Sequence, residues 1–149
     1  MDIQIRSFSE LTTSQLYEIL QIRAAVFIVE QDCVYQDIDG KDQKALHMLG
    51  YDTGVLVAYT RIFKASDYLP KASIGRVLVH MEHRKKAFGR EIMQASIQAV
   101  NSRFKSLEIE ISAQTYLLEF YQSLGFIAIG DGYLEDGIPH INMLRTQTS

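Results

Sequence analysis

The sequence holds one cysteine, Cys33, in 149 residues. A single thiol closes no intrachain disulfide, so nothing points to an oxidising compartment. A lone cysteine is also more often inert than catalytic. With two prolines and nine glycines, the chain shows no linker, repeat or low-complexity stretch. No apolar run approaches the ~18 residues of a membrane span. The segment MDIQIRSFSE lacks the basic-then-apolar layout of a signal peptide, so the expected compartment is the cytoplasm. Charge of one sign is also missing: the formal net charge is −3, which excludes a general affinity for nucleic acid.

What is present is ordinary for a soluble globular chain, 47% hydrophobic and 22% charged, and the expectation is one domain over residues 1–149. Alternating Ile3, Ile5 and Phe8 predict a first strand over 2–8. Thr12 and Gln15 stand at capping-box spacing, and Leu16, Ile19, Leu20, Val26 and Phe27 carry a helix to about Ile28. Glu30 to Ala45 is polar and acidic and reads as an ordered loop. Its DIDGKD run lacks the ligand spacing of an EF-hand, and no metal is expected. A β-hairpin follows over 47–51 and 54–63. A strand is predicted at 74–80, a helix from the turn at Arg84–Gly89, and a strand at 106–112. Strand, helix and strand at that spacing make a right-handed crossover, so the two strands are parallel. A short helix at 116–124 ends at Gly125, with Phe126 placed for a Schellman contact, and strands at 126–129 and 140–144 close the chain.

The chemical lead is Arg84-Lys85-Lys86-Ala87-Phe88-Gly89, followed by Arg90. Cations at a helix N-terminus oppose the macrodipole, and a bound anion would offset that. The turn is neither a P-loop nor G-x-G-x-x-G, which favours a pyrophosphate-bearing carrier such as coenzyme A over ATP. The four histidines make no zinc pattern; His80 and His83 read as surface residues.

Arg84 to Gly89 resembles motif A of the GNAT N-acetyltransferases, R/Q-x-x-G-x-G/A, with Ala87 where the family has its first glycine. Gln114 to Phe126 resembles motif B, with Gln114 in place of the usual Asn. The runs Arg23–Gln31, Tyr35–Asp39, His47, Ile74–Val77 and Glu135–His140 are similar to the ElaA-like subgroup. The resemblance implies an α/β (α+β) GNAT fold: a mixed, mostly antiparallel twisted sheet with a central splayed parallel pair and helices on both faces. It implies acetyl-CoA as co-substrate, an amine acceptor and, as in many relatives, a homodimer.

The implied coenzyme site is Leu78, Val79, Arg84, Lys85, Lys86, Ala87, Phe88, Gly89, Arg90 and Gln114. The N–H of Leu78 or Val79 would serve as oxyanion donor. Tyr121 is the implied general acid. Glu30 and His47 are the base candidates, with His140 third. Tyr35, Arg76 and His140 are candidates for the acceptor side, although Arg76 has a structural rival role as partner of Glu108 or Glu110. The acidic loop suits a cationic amine. A non-catalytic acyl-CoA-binding module with the same fold is the alternative reading.

Overall fold

The computed structural model describes residues 1–147. Seven strands form one sheet in the order β1-β2-β3-β4-β5-β7-β6. They are β1 (Asp2–Ser7), β2 (Leu46–Asp52), β3 (Val55–Phe63), β4 (Ala72–Val79), β5 (Glu108–Gln114), β6 (Ile127–Glu135) and β7 (Ile138–Thr146). Only β4 and β5 run parallel. The crossover between them is the helix α2 (Phe88–Arg103). The helices α1 (Thr13–Arg23) and α3 (Leu118–Ser123) complete the fold. No helix is long and apolar enough to cross a membrane among the described residues.

Alternation along the strands sends side chains to two cores, which is why helices cover both faces. Met48 packs with Ile92, Met93, Ile97 and Val100 of α2. Its neighbour Leu49 packs with Ile19 and Ile22 of α1, together with Tyr59 and Leu78.

Local signals explain the helix ends. Thr12 and Gln15 exchange the two bonds of a capping box at 3.0 and 3.1 Å. α3 ends in a full Schellman motif: Phe126 N–H donates to Tyr121 O at 3.1 Å and Gly125 N–H to Gln122 O at 3.0 Å. Gly125 takes φ +96° there, and the rings of Phe126 and Tyr121 meet edge to face at 6.0 Å.

Two expectations change. The first α-helix stops at Arg23 and continues as a π-helical segment, Ala24–Glu30. The last two strands are longer than predicted, because Gly130-Asp131-Gly132 interrupts the alternation without ending the strand. The ladder shifts register between Ile129 and Tyr133, and pairing resumes to the Asp136-Gly137 turn.

Candidate active site

β4 and β5 pair only at Ala72–Ile109 and Ser73–Glu110, then part. A bulge in β4 contributes. Against β3, the register passes from Arg61–Gly75 to Tyr59–Leu78, leaving one extra residue, with Arg76 at φ +49°. β5 meanwhile stays with β7 as far as the Gln114–His140 pair. The splay opens a cleft of about 820 Å³, walled by Leu78 and Val79, by Ile111, Ser112 and Gln114, and by Tyr121. A smaller depression of about 520 Å³ at Met1, Asp2 and Tyr51–Gly54 lies on the β1–β2 side, away from this opening.

Strand alternation identifies which β4 amide faces the cleft. His80 N–H donates to Val57 O of β3 at 2.8 Å. Leu78 therefore also directs its N–H toward β3, and Val79 directs its peptide groups the other way. Val79 O confirms the direction by accepting from Arg84 Nε at 3.0 Å.

β4 runs through a 3₁₀ turn, Met81–Lys86, into Ala87, which adopts φ +59°, ψ +21°. Alanine here adopts the left-handed conformation that glycine takes more readily. The first intrahelical bond is Glu91 N–H to Ala87 O at 3.2 Å. The N–H groups of Phe88, Gly89 and Arg90 precede it and are free to bind an anion. Phe88 puts its side chain into the core. A Cβ on Gly89 would stand in ordinary contact, 3.6 Å from Val79 and 3.7 Å from Phe120. These features fit a pyrophosphate group.

The basic side chains are used unequally. Arg84 forks onto Glu30 at 2.5 and 2.6 Å, and this bond raises its pKa. Arg90 donates to Ser123 Oγ at 2.6 Å and lies over the Phe120 ring. Lys86 pairs with Asp52 at 3.7 Å, and Lys85 is exposed outside the cleft wall.

Tyr121 is 5% exposed and reaches the cleft from α3. Burial raises its phenol well above the ordinary range, so it stays protonated. Across the opening, Gln114 Nε2 donates to Gln31 Oε1 at 3.3 Å.

At the far end His140 lines the cleft, stacked on Tyr133. Its Nδ1 lies 2.7 Å from Ile138 O, a carbonyl that can only accept, so Nδ1 carries the proton. In the neutral ring Nε2 then holds the lone pair, 3.3 Å from the Glu135 carboxylate.

The structure relocates three expectations. His47 is 0% exposed and is not part of the cleft wall. Its Nε2–H donates to Asp42 O at 2.9 Å, and its Nδ1 accepts from Tyr59 OH at 2.6 Å. Burial lowers its pKa; Nε2 ties the loop to the sheet, and Nδ1 joins β2 to Tyr59 of β3. Glu30 reaches the cleft, but both of its oxygens are committed to Arg84. Arg76 pairs with neither Glu108 nor Glu110. Its left-handed backbone turns it to Asp37 Oδ1 at 2.8 Å and over the Tyr35 ring, whose hydroxyl donates to the same Asp37 oxygen at 3.0 Å.

That last pair belongs to a larger network. Arg23, fully buried, binds Asp37 at 2.9 Å and Asp42 at 2.8 Å. Arg61 binds Asp39 at 2.6 Å and Asp42 at 2.9 Å. Burial alone would raise the Asp39 carboxyl, but its bonds to Arg61 hold it down to about 2. Three guanidinium groups thus face three carboxylates, and the acidic loop presents little net charge to a ligand. The acidity at the acceptor end outside this network is that of Glu135, 3.3 Å from His140, and Asp136 in the β6–β7 turn.

Sequence reading missed Arg23 and Arg61, which lie at buried positions inside otherwise apolar periodic segments. It also missed the contact of Cys33 Sγ with Asp136 O at 3.3 Å, which ties the loop to the β6–β7 turn at the cleft. Partners 103 residues apart leave no local signal.

Residues 11–146 match the family model described as an acetyltransferase (GNAT) domain. The chain is 46% identical to protein ElaA of Escherichia coli over 139 residues, 92% of this chain and 91% of that one. The crystal structure of Escherichia coli ElaA superposes with a TM-score of 0.90 at 44% identity, covering 97% and 98% of the two chains. An acyl-CoA N-acyltransferase from Pseudomonas aeruginosa superposes with a TM-score of 0.91 at 35% identity, covering 98% and 100%. With the splayed parallel pair and the helix-capped turn already in place, these matches show that the chain belongs to the GNAT acetyltransferase family.

Proposed function

We propose that the protein moves an acetyl group from acetyl-CoA to a primary amine by direct attack in a ternary complex. The observation that carries this reading is the splay itself. It leaves the Val79 peptide groups facing the cleft that His140 also lines. In this reading the amides of Phe88, Gly89 and Arg90 hold the pyrophosphate, Lys85 lends charge at the rim, and Gln114 flanks the pantetheine arm.

The amine nitrogen attacks the thioester carbonyl carbon, and the C–N bond forms. The Val79 N–H donates to the oxygen as it becomes an oxyanion. His140 Nε2 takes the amine proton, and Glu135 steadies the resulting imidazolium. As the C–S bond breaks, Tyr121 gives its proton to the departing thiolate. The base role falls to His140 because Glu30 is forked onto Arg84 and His47 lies outside the cleft. The acceptor amine is read by Glu135 and Asp136 and by the Tyr35–Arg76 pair, since the carboxylates of the 37–42 loop are neutralised.

Thiol release from acetyl-CoA in the presence of a panel of primary amines tests the proposal. Turnover with at least one amine, abolished by His140→Ala, is the expected result. Acetyl-CoA raising the melting temperature with no thiol release on any amine would instead favour a non-catalytic acyl-CoA-binding module.

A further inference from the structure

The turn that leads from β4 into the phosphate loop carries a second cluster. His80, Glu82 and His83 each offer a ligand atom, and the three atoms lie within 4.8 Å of one another. The fold, not the spacing, creates this. His80 follows the last strand residue and caps the turn, and its carbonyl accepts from His83 N–H at 2.8 Å, which folds the turn back on itself. The two imidazoles then meet edge to face with centroids 6.0 Å apart. Glu82 is exposed while the histidines are partly buried, so the cluster is open to solvent on the carboxylate side.

A second observation points the same way. His83 Nδ1 is buried and has no hydrogen-bond partner among the described residues. A desolvated nitrogen without a partner costs free energy that a bound ligand would remove. The His80 Nδ1 contact, from Glu82 N–H, is long at 3.3 Å and is easily exchanged.

We propose that His80, Glu82 and His83 form a three-ligand site for a divalent late transition-metal ion of the Zn²⁺ class. Two imidazoles and one carboxylate are a donor set that such ions prefer over Mg²⁺ or Ca²⁺. Ligands at 2.0–2.1 Å in a tetrahedron stand ~3.3 Å apart. The neighbouring cations oppose the site weakly, since Arg84 is neutralised by Glu30 and Lys86 by Asp52. The fourth position stays open to water.

Untagged protein, freed of metal by a chelator, is titrated with Zn²⁺ by calorimetry and with Co²⁺ by visible absorption. One saturable equivalent is expected, with the absorption of a four- or five-coordinate ion. Glu82→Gln and His83→Ala should each weaken binding by more than tenfold, while the thermal shift caused by acetyl-CoA persists. Zn²⁺ should also protect His80 and His83 of the unaltered protein from acylation by diethyl pyrocarbonate, a readout that needs no variant. Absence of saturable binding, unchanged affinity in both Glu82→Gln and His83→Ala, or unprotected histidines overturns the proposal.

Discussion

Ala87 occupies the left-handed region at φ +59°, where a Cβ crowds the backbone and glycine does not. We predict that Ala87→Gly stabilises the protein by about 0.5–1 kcal/mol, less than the relief of strain because glycine also loosens the unfolded chain. A rise in the urea midpoint at unchanged slope checks this. Tyr121 is held protonated by burial, as its proposed role as acid requires. Tyr121→Phe is expected to lower kcat by roughly 10–100-fold, with little change in the KM for acetyl-CoA. The effect is bounded because a thiol of pKa ~8.5 is already a fair leaving group. Glu30 spends the charge of Arg84 beside the turn that leads into α2. Glu30→Gln is therefore expected to lower the KM for acetyl-CoA and leave kcat unchanged; a large fall in kcat would return Glu30 to the role of base. The sequence carries residue types but not their partners. Glu30, His47 and Arg76 were all legible as chemically capable, and which was committed elsewhere depended on partners 54, 12 and 39 residues away.

At the scale of elements, the caps were legible because their chemistry is local. Thr12 with Gln15, and Gly125 with Phe126, each act within one turn. Gly125 shows how closely such a cap is fitted: at φ +96°, an added Cβ would also stand 3.2 Å from Arg145 Nε. Gly125→Ala should cost about 1–2 kcal/mol from the backbone alone, read by thermal melting. It should also lower activity, since the cap orients the α3 segment that carries Tyr121. The π-helical segment Ala24–Glu30 was not legible. Ala-Ala-Val-Phe-Ile-Val-Glu keeps an apolar pattern that an α-helix shares, and the wider turn is imposed by packing. Val26, Phe27 and Glu30 of this segment all reach the cleft. The β4 bulge escaped for the same reason, since Gly75-Arg76 reads as uninterrupted strand.

For the whole molecule, the parallel pair followed from the crossover rule, which needs only pattern and chirality, whereas the full order of the seven strands was not read from the sequence. The ionic network was not read either, because it joins α1, the 37–42 loop, β3 and β4 across the entire first half of the chain. Its pH dependence is a global property. His47 is depressed below its ordinary value of 6.5 by burial, so the unfolded chain takes up a proton that the folded one refuses. Stability is therefore complete above pH 6.5 and falls as pH drops below it. Asp39, depressed to about 2, adds a second loss between its ordinary value of 3.8 and that pH. Denaturant unfolding from pH 7.5 to 5 should show the first decline, and His47→Gln should remove that slope while lowering stability throughout.

The two rungs between β4 and β5 have a mechanical meaning. Strands β1 to β4 make one prong and β5, β7 and β6 the other, welded near Ala72 and Ser73 and separate above. A fork of this kind bends at its base, and small rotations there become large displacements at the tips, where the phosphate loop and the β6–β7 turn stand. Compliance is thus concentrated at one end of the sheet, and a molecule wedged along the gap bridges both prongs and stiffens the whole body at once.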